Sequence, residues 1–267
     1  MIGLVSCQSK QQATGTVSTI DSTLQTNATA ILESKLSEIN AQSGQVVVME
    51  FQTGQIKALV GLTKKDSTNY QSCENFSVWQ STGLMHPISL LAALETGKVK
   101  LSDKVDTGNG IYQVHGRELK DHNWHRGGYG ELTVQEGLAA SSNIAIYKTM
   151  EKAFGNNPQA YFNLLANMSY GKPDSITGIA NLKPAHIVTP KDNNWAKSDF
   201  AWSSIGYNQQ ISPIQILTFY NAIANNGKMI QPQLYKDSVV VINPQIASRA
   251  SIDSCLLYTS PSPRDVE

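Results

Sequence analysis

The chain is short of the features that mark several functional classes. Three cysteines in 267 residues, Cys7, Cys73 and Cys255, supply neither a disulfide framework nor a CxxC metal spacing. No sign of charge dominates: 21 basic and 21 acidic residues, interspersed, give a formal net charge of zero. That balance argues against electrostatic capture of nucleic acid. No apolar run approaches the ~18 residues of a membrane-spanning helix, and no internal repeat is visible. What remains, with 40% hydrophobic and 16% charged residues, is a globular chain long enough to bury a sizeable core.

Periodicity divides the chain. Leu24, Ala28, Ile31, Leu32, Leu36 and Ile39 fall at helical spacing, which predicts a helix over 21–39 capped by Asp21 or Ser22. "QVVVMEFQTGQIKALVGL" predicts two strands, 45–51 and 55–61, joined at Thr53–Gly54. Residues 62–82 read as polar loop and 85–96 as an apolar helix closed by Gly97. Thr133 followed by Glu136 is a capping box that starts a helix, broken near Ser141–Ser142. Asn157–Pro158 opens another helix, and 169–205 reads as irregular. Ser212–Pro213 with Gln215 and Gly227 brackets a further helix, and "LYKDSVVVI" reads as strand. The order is that of an α+β fold whose sheet looks unfinished at the C-terminus.

Both ends carry their own signals. "LVSC", Leu4 to Cys7, followed by polar "QSKQQATGT", resembles a bacterial lipobox and tether, which makes Cys7 a lipidation candidate. The apolar run before it, Ile2 to Val5, is shorter than the about 7–15 residues of a signal h-region. At the other end "CLLYTSPSPRD" breaks with the preceding pattern and resembles read-through into a sequencing adaptor. The expected organisation is a leader or tether over 1–16, a partial domain over 17–254, and an adaptor-like tail over 255–267.

Seven stretches carry a further signal by their order and spacing. They are "TIDSTLQ", "VVVMEFQTGQIKALV", "HPISLLAALETGKV", "VDTGNGIY", "DHNWHRGGYGELTV", "SSNIAIYKTM" and "GYNQQISPIQILTFYNAIANNGKMIQP". Together they resemble the transpeptidase domain of class B penicillin-binding proteins, of the septal, cell-division type. The resemblance implies a penicillin-binding/serine β-lactamase-like fold: a five-stranded antiparallel sheet flanked by helices, plus a helical subdomain. It also implies a serine acyl transferase that acts on peptidoglycan stem peptides outside the cytoplasmic membrane, binds β-lactams and needs no cofactor. Its partners would be divisome or cell-wall synthesis proteins.

Three motifs carry that chemistry. In Ser-x-x-Lys, three residues make nearly one helical turn, so the lysine amine lies beside the serine oxygen and can take its proton. By the resemblance Gly83 stands at the serine and His86 at the lysine. Glycine has no side chain to acylate, although histidine could serve as a base. Ser-x-Asn is retained as Ser141 and Asn143, with Ser142 in the variable slot. Lys-Thr/Ser-Gly falls beyond the end of the sequence.

Rescue of the first motif by Thr82, four residues before His86, requires a helix that begins that early. The one intact Ser-x-x-Lys, Ser169 to Lys172, precedes Pro173 in a turn-like stretch and is set aside. His115, Asp121, His122 and His125 lack any metal-ligand spacing, so no metal site is expected.

Three functions fit these residues. The first is a transpeptidase-like domain inactive as written, which binds peptidoglycan or a partner. The second is an active D,D-transpeptidase whose first motif is misread. The third is a lipid-anchored sensor or adaptor.

Overall fold

A computed structural model describes residues 17–67, 69–73 and 83–258. Helix α1 (Ser22–Glu38) begins where the Asp21 carboxylate accepts the Leu24 amide, as its capping position requires. Strands β1 (Ser43–Met49) and β2 (Ile56–Lys64) form the expected antiparallel hairpin, with Val46 opposite Val60. Gly54 turns it at φ +75°, and a Cβ there would lie 2.2 Å from the Gln231 carbonyl oxygen, so only glycine fits.

The stretch 62–82 is not all loop. β2 continues to Lys64, and β3 (Tyr70–Ser72) pairs antiparallel with it. Leu62 is buried against Leu36 of α1, and the Tyr70 hydroxyl lies within hydrogen-bonding distance of the Leu36 and Ala41 carbonyls. These long-range contacts override a polar local sequence.

Helix α2 (Met85–Glu95) follows, and the glycine-rich excursion after it folds into short strands. β4 (Lys104–Asp106) pairs with β7 (Glu131–Thr133), and β5 (Ile111–Val114) with β6 (Arg117–Lys120). A 3-10 turn, Trp124–Arg126, packs close to the 108–110 turn. A Cβ on Gly128 would sit 2.2 Å from the Gly110 amide nitrogen, so the two backbones meet there only because position 128 is glycine. Thr133 and Glu136 form the predicted capping box on α3 (Val134–Ala139), and the predicted break separates it from α4 (Asn143–Phe154).

Helix α5 (Pro158–Asn167) comes next. Within the stretch read as irregular lie β8 (His186–Ile187), which pairs with β9 (Gln209–Gln210), and α6 (Asp199–Ser204). Ser212 and Gln215 cap α7 (Pro213–Ala224) reciprocally. The run "LYKDSVVVI" is strand only at its end. β11 (Val241–Asn243) pairs with the two residues of β10 (Met229–Ile230), and Val239 and Val240 are exposed. Helix α8 (Arg249–Tyr258) crosses the boundary expected after residue 254, and Cys255 is buried in the main core.

The main sheet has three strands among the described residues, in the order β1-β2-β3, against the five implied by the resemblance. Val60 and Leu62 pack with Leu36 of α1 on one face, and Ile56 with Ile214 of α7 on the other. The larger core is helical: Ile88 and Leu91 of α2, Ile144 and Met150 of α4, Tyr161 of α5 and Phe219 of α7 are all fully buried. α2, at the centre of that core, and α4 packed against it carry the site. Among the described residues no helix is long and apolar enough to cross a membrane.

Candidate functional site

Three segments converge on one side chain. α2 begins at Met85, and its start is held by the Tyr220 hydroxyl of α7, which donates to the Leu84 carbonyl at 2.8 Å. Gly83, just before it, is exposed at φ +78° and lies outside the helix. His86, in the first turn, points inward and is 2% exposed. Its two ring nitrogens meet the retained motif: Nδ1 lies 3.2 Å from Ser141 Oγ, and Nε2 lies 3.1 Å from Asn143 Oδ1.

The hydrogen-bond chain fixes the tautomer. Asn143 Nδ2 donates to the Lys120 carbonyl at 2.8 Å. A carbonyl can only accept, so the amide is oriented and Oδ1 faces His86 as an acceptor. Nε2 must then carry the proton. Nδ1 keeps its lone pair and accepts from the Ser141 hydroxyl. Burial pushes the imidazole down to about 4, against a smaller upward pull from the Asn143 oxygen, so the ring is neutral at ordinary pH.

The turn that presents Ser141 and Asn143 is anchored from behind. Asp121, fully buried at the end of β6, accepts the Ser142 hydroxyl at 3.0 and 2.9 Å and the Ile144 amide at 3.1 Å. Burial raises its carboxyl pKa, and the amides of Ile144 and Asn143 and the Ser142 hydroxyl oppose that rise. Ser142 Oγ in turn accepts the Ala145 amide as the N-cap of α4. Ser142, assigned to a variable slot from the sequence, is thus the most buried of the three motif residues, whereas Ser141 is exposed at φ +51°.

The sequence reading missed Asp121 and Ser142 as supports. A serine directly before an apolar helix was a capping signal, whereas Asp121 gave none. Thr82 and Cys7 lie outside the described residues. α2 starts at Met85, and Gly83 just before it is left-handed. Lys172 pairs with Asp174 at 2.6 Å on the surface. Of the histidine cluster, His122 faces the Tyr129 hydroxyl while Asp121 is turned to Ser142. No three metal-ligating side chains come together among the described residues.

Known proteins resemble the chain over most of its length. Residues 44–254 match the family model described as penicillin binding protein transpeptidase domain. The chain is 26% identical over 242 residues to the probable peptidoglycan D,D-transpeptidase PbpC of Pseudomonas aeruginosa, covering 88% of this chain and 40% of that protein. It is 23% identical over 231 residues to the peptidoglycan D,D-transpeptidase FtsI of Escherichia coli K12, covering 84% and 37%. Stage V sporulation protein D of Bacillus subtilis is 24% identical over 246 residues, covering 87% and 36%. The chain therefore spans two fifths or less of these relatives. Among solved structures, the TP domain of Burkholderia pseudomallei penicillin-binding protein 3 superposes with a TM-score of 0.75 at 23% identity, covering 91% of this chain and 69% of that one. The likeness to that structure is one of fold.

Proposed function

Since this chain belongs to the penicillin-binding protein transpeptidase domain family, we propose that its domain, over about residues 17–254, recognises peptidoglycan stem peptides without forming an acyl-enzyme at position 83. Its place would be the cell envelope outside the cytoplasmic membrane, with cell-wall synthesis or divisome proteins as partners and Cys7 as the candidate lipid tether. The observation that carries this reading is the replacement of the reaction centre. Where the resemblance expects a hydroxyl and a cation there is Gly83, which has no side chain, and His86, which is buried and neutral. The Ser-x-Asn turn is nonetheless kept in a defined conformation by Asp121. A retained binding turn with no nucleophile at position 83 favours recognition over turnover.

The test is calorimetric titration of the full chain with an N-acyl-D-alanyl-D-alanine peptide, together with an assay for released D-alanine. Binding with no D-alanine release is expected. Sustained release of D-alanine would overturn the reading, and so would absence of binding at millimolar peptide.

One observation favours a second reading, an active D,D-transpeptidase whose first motif is misread. A Cβ at Gly83 would meet nothing within 4 Å, so a serine has room there, at the cost of the strain that a φ of +78° places on any side chain. An independent sequence of the gene with Ser at 83 and Lys at 86 would establish it.

A further inference from the structure

We propose that Ser141 is a nucleophile for activated acyl esters, with His86 Nδ1 as its proton acceptor and Asn143 as the residue that positions the ring. This goes beyond the peptide-recognition reading and does not depend on it. The inference rests on the connected chain of hydrogen bonds. The Lys120 carbonyl orients the Asn143 amide at 2.8 Å, His86 Nε2–H donates to Asn143 Oδ1 at 3.1 Å, and the free Nδ1 faces Ser141 Oγ at 3.2 Å. A nucleophile within reach of a base, and a base oriented by a third group, is the arrangement that activates a hydroxyl.

The backbone adds a second, independent observation. Ser141 is exposed and held at φ +51°, in a sharp turn one residue before the N-cap of the twelve-residue helix α4. That conformation is unfavourable for a non-glycine residue. It is maintained here by backbone bonds from the Ser141 amide to the Leu138 carbonyl and from the Ser142 amide to the Gly137 carbonyl, both 2.9 Å. The outcome is an exposed serine whose hydroxyl lies against a buried imidazole.

The same geometry limits the substrate class. Amide cleavage needs N–H donors for the tetrahedral oxyanion and a proton for the departing amine. The nearby amides are already engaged: Ser141 and Ser142 with α3 carbonyls, Asn143 and Ile144 with Asp121, and Ala145 with Ser142 Oγ. Esters with good leaving groups need less of both. With 4-nitrophenyl acetate the bond from Ser141 Oγ to the acetyl carbon forms and the bond from that carbon to the aryl oxygen breaks. The hydroxyl proton passes to His86 Nδ1 and on to solvent, and the electron pair leaves as nitrophenolate. Burial keeps the imidazole neutral and its lone pair available, but it also makes the base weak, so the reaction is slow.

The experiment is incubation of the full chain with 4-nitrophenyl acetate, a nitrophenolate readout, and peptide mapping by tandem mass spectrometry. Acetylation is expected on the peptide carrying Ser141. His86→Gln should slow it by ~10²-fold, the lower range for loss of a general base, and Ser141→Gly, which suits the positive φ, should abolish it. Mapping on the unaltered chain does not depend on any variant folding. Acetyl groups confined to lysines, with Ser141 unmodified, would overturn the proposal, as would a Ser141 rate unchanged in a folded His86→Gln variant. D-alanine release, or loss of peptide binding, bears on the recognition reading and leaves this one intact.

Discussion

Replacing His86 by glutamine should remove a specific acid sensitivity of the fold. The imidazole is 2% exposed, and burial lowers its pKa from 6.5 to about 4. As pH falls below 6.5 the unfolded chain takes up a proton at this residue that the folded chain refuses until about pH 4. Stability therefore falls as pH is lowered through this window, and the loss levels off below it. The full effect is on the order of 3 kcal/mol, of which about 2 kcal/mol is lost between about pH 7 and pH 5. Asp121 acts with the opposite sign: its raised carboxyl pKa lets the folded state bind a proton first as pH falls. The difference between wild type and His86→Gln cancels that contribution, because Asp121 is common to both. Urea unfolding followed by circular dichroism at half-unit pH steps reads it directly. The wild type should lose stability faster than the variant between about pH 6.5 and pH 4, by the amount stated. Parallel stability curves for the two proteins would refute the reasoning, since they would mean that the buried ring titrates normally or is not buried.

Other substitutions probe the supports. Asp121→Ala deletes the acceptor for the Ser142 hydroxyl and the Ile144 amide at the start of α4. It should cost about 3 kcal/mol in urea unfolding and raise amide hydrogen exchange in the first turn of α4 selectively. Gly54→Ala and Gly97→Ala should separate steric clash from conformational strain. Both positions have positive φ, but an added Cβ meets the Gln231 carbonyl only at Gly54. Gly97→Ala should cost about 1 kcal/mol and Gly54→Ala clearly more, measured as the shift in unfolding midpoint.

What the sequence made legible was local. The capping boxes at Thr133–Glu136 and Ser212–Gln215 are made by residues three apart, so their spacing alone places the start of α3 and α7. The hairpin at Gly54 was readable for the same reason. β3 was not, because its three polar residues are held in place by Tyr70 against the end of α1, and the pairing of β4 with β7 was not, because it joins residues as far apart as Lys104 and Thr133. The site shows the same division. The resemblance assigned position 86 and the Ser-x-Asn turn to one chemistry. However, His86 meets its partners across 55 and 57 residues, and no spacing rule reports which ring nitrogen faces which side chain. Asp121 was noticed only as one member of a histidine-rich stretch, because a buried carboxylate looks no different in sequence from an exposed one. At Cys255 the composition changes abruptly, the family match ends at residue 254, and α8 runs on to Tyr258.

The pairing of both His86 ring nitrogens has a consequence for how such a domain can change over time. A cleft built around a cation keeps its neighbouring hydroxyl and amide in place partly through that cation, so deleting it would ordinarily leave two polar groups without partners. An imidazole at the same position serves both with no net charge. The loop geometry is further secured by Asp121 and Ser142, neither of which depends on residue 86. The order of this turn therefore does not rest on the side chain at position 83, so the surface it presents persists whichever residue stands there.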